Sequence, residues 1–277
     1  MDLSESELDT QSATNLLKII PQLENLKHIN LSHTNLSAVC PTVLCSAVPL
    51  LESISLQQTR LTNDQVEAVL VNVSTPSSHL VSLNLARTDL SKVPPDILSH
   101  GLTTVLRVNI SSTQLNPEQT KAFFDILSTP NNILKHLIVR DVDLSTANLD
   151  SLAKGVASLI TMNLQETKLG MQQCRSLFTQ ISSSTSLISI NMSHVTLAEV
   201  PADLLARAIQ RLDRASLNWT RLTAHQLTKL LDFKNKTVDL QLEGINWDGV
   251  PAQLVVKYKM RGCFNIFRRH ISSPGSL

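Results

Sequence analysis

Leu80 to Leu90 reads LVSLNLARTDL, and its pattern, LxxLxLxxTxL, recurs from Leu26 (LKHINLSHTNL), Leu51 (LESISLQQTRL), Leu134, Leu159, Leu187 and Leu212, with degenerate copies from Val105 and Thr237. Nine copies in 277 residues make a repeat array. Inside each copy, apolar and variable positions alternate with the period of a β-strand. The fourth and sixth positions therefore point into a core, while the third, fifth and seventh point to the opposite, displayed face. Each repeat can bury its apolar side only against its neighbours, so one elongated solenoid domain is expected.

Copies start 25, 29, 25, 29, 25, 28, 25 and 25 residues apart, so the repeating unit is a pair. The short type continues into a Val-Pro turn and an apolar helix, as in Val93-Pro94-Pro95 before Ile97 and Leu98, Val200-Pro201 before Leu204, and Val250-Pro251 before Leu254, with Cys40-Pro41 as a variant. Proline is tolerated there because the first helical N–H has no partner in any case. The long type carries a glutamine four residues after its last motif leucine: Gln65, Gln119, Gln173 and Gln226. Thr62 with Gln65 and Thr223 with Gln226 fit the capping box, in which cap oxygen and glutamine satisfy each other's free N–H groups. Asn116-Pro117-Glu118-Gln119 adds an acid near the positive helix end, whereas Gly170 weakens the third copy.

Strand followed by helix in every repeat predicts an α/β solenoid. Alternating helical repeats of this length resemble the ribonuclease-inhibitor class of leucine-rich-repeat proteins, over roughly Leu16 to Leu254. The expected shape is a horseshoe with a parallel β-sheet on the concave face and α-helices on the convex face. One departure is systematic. Where that class has Asn or Cys at the ninth motif position, this chain has Thr34, Thr59, Thr88, Thr113, Thr167 and Thr220, and Val142, Val195 and Ile245 complete the column. The β-branched alternatives exclude a continuous side-chain hydrogen-bond ladder, so the column reads as structural. The expected organisation is a capping segment at 1–25, with Leu16, Leu17, Ile19 and Ile20 on a helix over the first rung. Nine repeat strands follow over 26–247, and a capping helix with a basic tail over 248–277.

A formal net charge of +1 argues against a nucleic-acid partner, and 3% aromatic content predicts a polar binding surface. The acidic start MDLSESELDT lacks the basic and apolar regions of a secretory signal, and no apolar run reaches a bilayer-spanning length. Cys40, Cys45, Cys174 and Cys263 are scattered, as expected of buried thiols in a reducing compartment. These features together predict a cytoplasmic monomer. Seven NxS/T sequons, at Asn30, Asn35, Asn72, Asn109, Asn191, Asn218 and Asn235, read as accidental, because four of them fall within the strand motif. No HxxxH, CxxC, GxGxxG, GxxxxGK[ST] or GxSxG occurs, so no cofactor, no metal and no enzymatic activity are expected.

The displayed columns hold the candidate site. The fifth-position column is Asn30, Ser55, Asn84, Asn109, Ile138, Asn163, Asn191, Ser216 and Gln241, small and neutral apart from Ile138. Charge concentrates on a few rungs: Arg107, His136 and Arg140 are expected to form a cationic patch for an acidic partner group, with Gln165 beside it. Past the strands, Trp219 with Arg214, Arg221 and Asn218 nearby is the expected interface anchor, and Glu243 of the seventh-position column is a further candidate. The segment after Trp247 interleaves Lys257, Lys259, Arg261, Arg268 and Arg269 with Tyr258, Phe264 and Phe267. It reads as a cap over the last repeat in preference to a weak contact with anionic membrane. The leading expectation is a non-catalytic scaffold that binds a protein partner on its concave face. The alternatives are the sensing region of a larger intracellular receptor and a membrane-peripheral scaffold.

Overall fold

The computed structural model describes residues 1–6, 8–130, 132–183, 186–232 and 238–260. Thr237, the sequon at Asn235, and the tail containing Arg261, Cys263, Phe264, Phe267, Arg268 and Arg269 lie outside the described residues. The strands are β1 (His28–Asn30), β2 (Ser53–Ser55), β3 (Ser82–Asn84), β4 (Arg107–Asn109), β5 (His136–Ile138), β6 (Thr161–Asn163), β7 (Ser189–Asn191), β8 (Arg214–Ser216) and β9 (Asp239–Gln241). They form one open parallel sheet in chain order, with motif positions aligned in register from β1 to β9.

Behind the sheet run α1 (Thr10–Ile19), α2 (Pro41–Ala47), α3 (Asn63–Val73), α4 (Pro95–Thr103), α5 (Pro117–Leu127), α6 (Leu149–Ala157), α7 (Met171–Ser183), α8 (Ala202–Ile209) and α9 (Ala224–Leu231), each packed on the next. Residues 252–260 are also helical. Fourth- and sixth-position residues such as Ile54 and Leu56 are almost wholly buried, and one apolar cluster extends from Ala13 to Ile245. Each fully buried leucine contributes about 1.5–3 kcal/mol, which fixes the register, since a slip of one residue would expose the whole column. The two repeat types differ at the last motif leucine. Leu36, Leu90, Leu144 and Leu197 of the short type are buried, whereas Leu61, Leu115, Leu169 and Leu222 are only partly so.

The glutamines do more than cap helices. Gln65, Gln119 and Gln226 complete capping boxes with Thr62, Asn116 and Thr223. Each also sends its amide back into the preceding repeat: Gln119 Nε2 donates to the carbonyls of Leu90 at 2.7 Å and Val93 at 2.6 Å. Gln65 does the same to Leu36 and Val39, and Gln226 to Leu197 and Val200. A buried amide with its donors and acceptor engaged is favourable, and here it ties consecutive repeats together. The threonine column stays local. Thr34, Thr59, Thr113, Thr167 and Thr220 donate to the carbonyl three residues earlier, at 2.6–2.7 Å.

Both edges of the sheet are covered. At the β1 edge, Asp2 pairs in parallel with Asn30, and the Leu3 and Glu5 N–H groups donate to the Asn30 and Ser32 carbonyls. This single bridge was not anticipated; the expected helix is α1, which buries Ala13 and Leu17 but leaves Ile19 46% exposed. At the β9 edge, the Tyr258 hydroxyl accepts from the Leu242 N–H at 3.0 Å and donates to the Leu240 carbonyl at 3.2 Å. Its ring packs near Trp247, at a centroid distance of 5.5 Å.

Candidate functional site

The displayed face is built from the third, fifth, seventh and eighth motif positions. Its asparagine column is occupied with backbone work: Oδ1 of Asn30, Asn84, Asn109, Asn163 and Asn191 accepts the N–H two residues on, at 2.9–3.1 Å. These bonds hold the chain as it leaves each strand.

The eighth position then turns left-handed on every rung. His33, Gln58, Arg87, Ser112, Asp141, Glu166, His194 and Trp219 have φ between 54° and 64°, and Gly244 has 66°. Such a conformation costs a non-glycine residue about 1–3 kcal/mol. Each N–H compensates by donating to the seventh-position carbonyl of the next rung: His33 to Gln57, Arg87 to Ser111, and Trp219 to Glu243 at 2.7 Å. The backbone ladder thus continues past the strands, and the eighth side chains stand in a row along the rim at their C-terminal ends.

On that rim Trp219 stacks on His194, with rings 9° from parallel and centroids 6.2 Å apart. On its other side the indole lies over Gly244, where a Cβ would come within 2.3 Å of the ring. Trp219 nevertheless stays 54% exposed. Asn218 Oδ1 accepts the Glu243 N–H at 2.8 Å, and Arg214 pairs with Asp239 at 3.2 Å. Asn218, Trp219 and Glu243 are thus brought together in the turns after β8 and β9, whereas Arg214, at the start of β8, pairs with Asp239 at the other end of the strands.

Arg107 and His136 are register partners at the start of β4 and β5, whereas Arg140 and Gln165 lie on neighbouring rungs just past the ends of β5 and β6. The patch carries less positive charge than its composition suggests. Arg140 is held by Glu166 through contacts of 3.1 Å, and hydrogen bonds to Glu166 from Gln165 and then Arg140 keep its carboxylate pKa low. Burial, followed by the Arg107 charge, lowers the His136 pKa, and His136 Nδ1 lies 2.9 Å from the Thr161 hydroxyl. Arg107 and Arg140 are both exposed, and of the two Arg140 is the one paired with a carboxylate. Glu166 was missed in the sequence, because its partner sits one rung away and one column over.

Lys257 and Lys259 lie on the exposed side of the final helix, while Tyr258 and Leu254 pack on the core cluster. No group of His, Cys, Asp and Glu among the described residues could hold a metal ion. Among the described residues, no helix is long and apolar enough to cross a membrane.

No protein-family model and no curated protein sequence matches the chain. Solved structures do. A chain from the crystal structure of the yeast Rad7 and Elc1 complex superposes with a TM-score of 0.53, at 18% identity over 86% of this chain and 69% of that one. Human 5T4 (Wnt-activated inhibitory factor 1, trophoblast glycoprotein) gives 0.52, at 16% identity over 84% of this chain and 82% of that one. The leucine-rich-repeat-containing protein LegL7 from Legionella pneumophila gives 0.45, at 17% identity over 88% and 90%. The fold is a leucine-rich-repeat solenoid. At these identities the likeness concerns the fold, and the function rests on the side chains of this solenoid.

Proposed function

We propose that this leucine-rich-repeat chain is a non-catalytic scaffold that holds a protein partner on the displayed face of its sheet. Contacts would come from two groups: Arg107, His136, Arg140 and Gln165 at the centre, and Arg214, Asn218, Trp219 and Glu243 toward the C-terminal end. Trp219 carries the reading. A large ring held between His194 and Gly244 yet 54% exposed loses little freedom when a partner covers it, which is how tryptophan comes to dominate interfaces. The Rad7 and Elc1 structure is a complex, and that precedent supports a protein partner for this fold. Cys45 and Cys174 are buried thiols, which fits a reducing setting, whereas Cys40 is exposed against the expectation of a buried thiol.

The test is affinity purification of the tagged chain from its source cells, run in parallel with a Trp219→Ala, Arg140→Ala variant. A partner recovered by the wild type should fall at least tenfold with the variant. Equal recovery would remove this surface from the function.

A further inference from the structure

A second feature stands on the opposite rim, where the chain enters the strands. Carbonyls at the second motif position accept from the next rung: Leu106 from the Lys135 N–H, Lys135 from Ile160 and Ile160 from Ile188, at 2.8–3.0 Å, while Val81 accepts from the third-position Arg107 N–H. The side chains on this rail are Val81, Leu106, Lys135, Ile160 and Ile188. Val81, Leu106 and Ile160 are half-buried and Ile188 is 45% exposed, yet among the described residues none of the four belongs to the core cluster or packs against it. Ile133, just before the fifth rung, adds a side chain that is 49% exposed. The same position is charged at the ends of the row, with Lys27 and Glu52 paired at 2.7 Å on the first two rungs and Asp213 on the eighth.

The apolar row is thus bounded, and it spans about 19 Å at the usual strand spacing. Two cations stand at this level of the array: Lys135 within the row and Arg107, which follows Leu106 at the start of β4. Arg107 is exposed with no carboxylate within ion-pair distance among the described residues, and the Lys135 ammonium reaches the Ser158 carbonyl at 3.3 Å instead of an acid. Strand addition to the sheet is closed off, because Met1 to Glu5 cover the β1 edge and Tyr258 caps the β9 edge. A partner on this row would therefore dock by side chains, which favours one whose backbone is already hydrogen-bonded within a helix.

We infer that this row docks one amphipathic α-helix of a partner protein, its apolar face on Val81, Leu106, Ile160 and Ile188 and a carboxylate set against Arg107 and Lys135. A helix of about 13 residues matches the length of the row, and anchors at i, i+3 or i+4, and i+7 match its periodicity. The inference rests on the protein-binding reading above and names the chemistry of the partner.

Random 16-residue peptides displayed and selected on the full chain provide the probe, with binding of individual peptides read by fluorescence anisotropy. Selected peptides should carry helical apolar spacing with at least one acid and gain helicity by circular dichroism when bound. They should bind Ile188→Asp at least tenfold more weakly, while that variant keeps the wild-type spectrum and urea midpoint. Arg107→Glu should lose the acidic peptide and recover a version with lysine in place of the acid. Failure to enrich such peptides, or binding in an extended form, overturns the inference. A self-association abolished by Ile188→Asp overturns it too, by assigning the row to a second copy. Peptides insensitive to Ile188→Asp and Arg107→Glu but lost with Trp219→Ala, Arg140→Ala would remove the row and leave the proposed function standing. The converse pattern would support the row and leave the Trp219 surface to the partner-recovery test above.

Discussion

Gln119 and Gln173 occupy the same place in two successive long repeats, but their surroundings differ. Gln119 is fully buried, completes a capping box with Asn116, and donates to two carbonyls of the preceding repeat. Gln173 is partly exposed; Gly170 stands where the other repeats have Thr or Asn and offers no cap acceptor, while the amide still reaches the Ser145 carbonyl at 2.7 Å and the Ala147 carbonyl at 3.3 Å. The link between repeats therefore survives without the cap. This separates two roles that the intact sites merge, a local one at the helix start and a long-range one that joins repeats.

The largest effect is expected at the intact site. Gln119→Leu keeps the volume but leaves the buried Val93 carbonyl and the part-buried Asn116 N–H without their partner, while the Leu90 carbonyl keeps the Val93 N–H; each orphaned group costs about 1–3 kcal/mol. A loss of about 2–3 kcal/mol is expected, read as a lower urea midpoint. A change under about 1 kcal/mol would mean that the staple between repeats contributes little. Gln173→Leu should cost about 1 kcal/mol, because water can replace the amide at a partly exposed site.

Cys174 offers a local gauge for the second site. It lies one residue after Gln173, is 1% exposed, and burial pushes its thiol pKa up to about 11, so alkylation in the native state needs α7 to open. Gln173→Leu should speed alkylation of Cys174 severalfold while leaving Cys45 unchanged, with sites resolved by mass spectrometry. Gly170→Thr should do the reverse. It supplies the missing cap oxygen and removes a glycine from the unfolded chain, a gain of about 1 kcal/mol. The new Cβ would meet Gln173 Oε1 at 2.5 Å, but that atom ends a flexible side chain and can swing away. A lower midpoint for Gly170→Thr would show that it cannot.

The sequence was most legible where a single repeat determines the outcome. The strand columns followed from the period-two leucines, and three capping boxes from a cap residue three positions before a glutamine. What depends on stacking one repeat against another was not legible. The amides of Gln65, Gln119 and Gln226 reach 26–29 residues back, and Arg140 finds Glu166 across a rung, distances that no local pattern encodes. The left-handed eighth column hid behind Gln, Arg, Ser, Glu and Trp, none of them a signature of that conformation. Gly244, with His33, Asp141 and His194 in the same column, was the available hint. At the beginning of the chain, Met1 to Glu5 carry too little apolar alternation to suggest a sheet contact, although Asp2 bridges to Asn30.

The smallest effect concerns the threonine column, where the molecule contains its own control. Thr113 donates to the Ile110 carbonyl at 2.7 Å, whereas the Thr88 hydroxyl, also buried, has no hydrogen-bond partner among the described residues. Val142 and Val195 fill the same position on other rungs at 1% and 2% exposure, so the site accepts a methyl group in place of the hydroxyl. Thr88→Val should then be neutral or stabilising by up to about 1 kcal/mol, because it removes an unpaired buried group, and Thr113→Val should destabilise by about 1 kcal/mol. Equal losses at the two rungs in urea unfolding would mean that the Thr88 hydroxyl does find a partner, and that the column stabilises each rung alike.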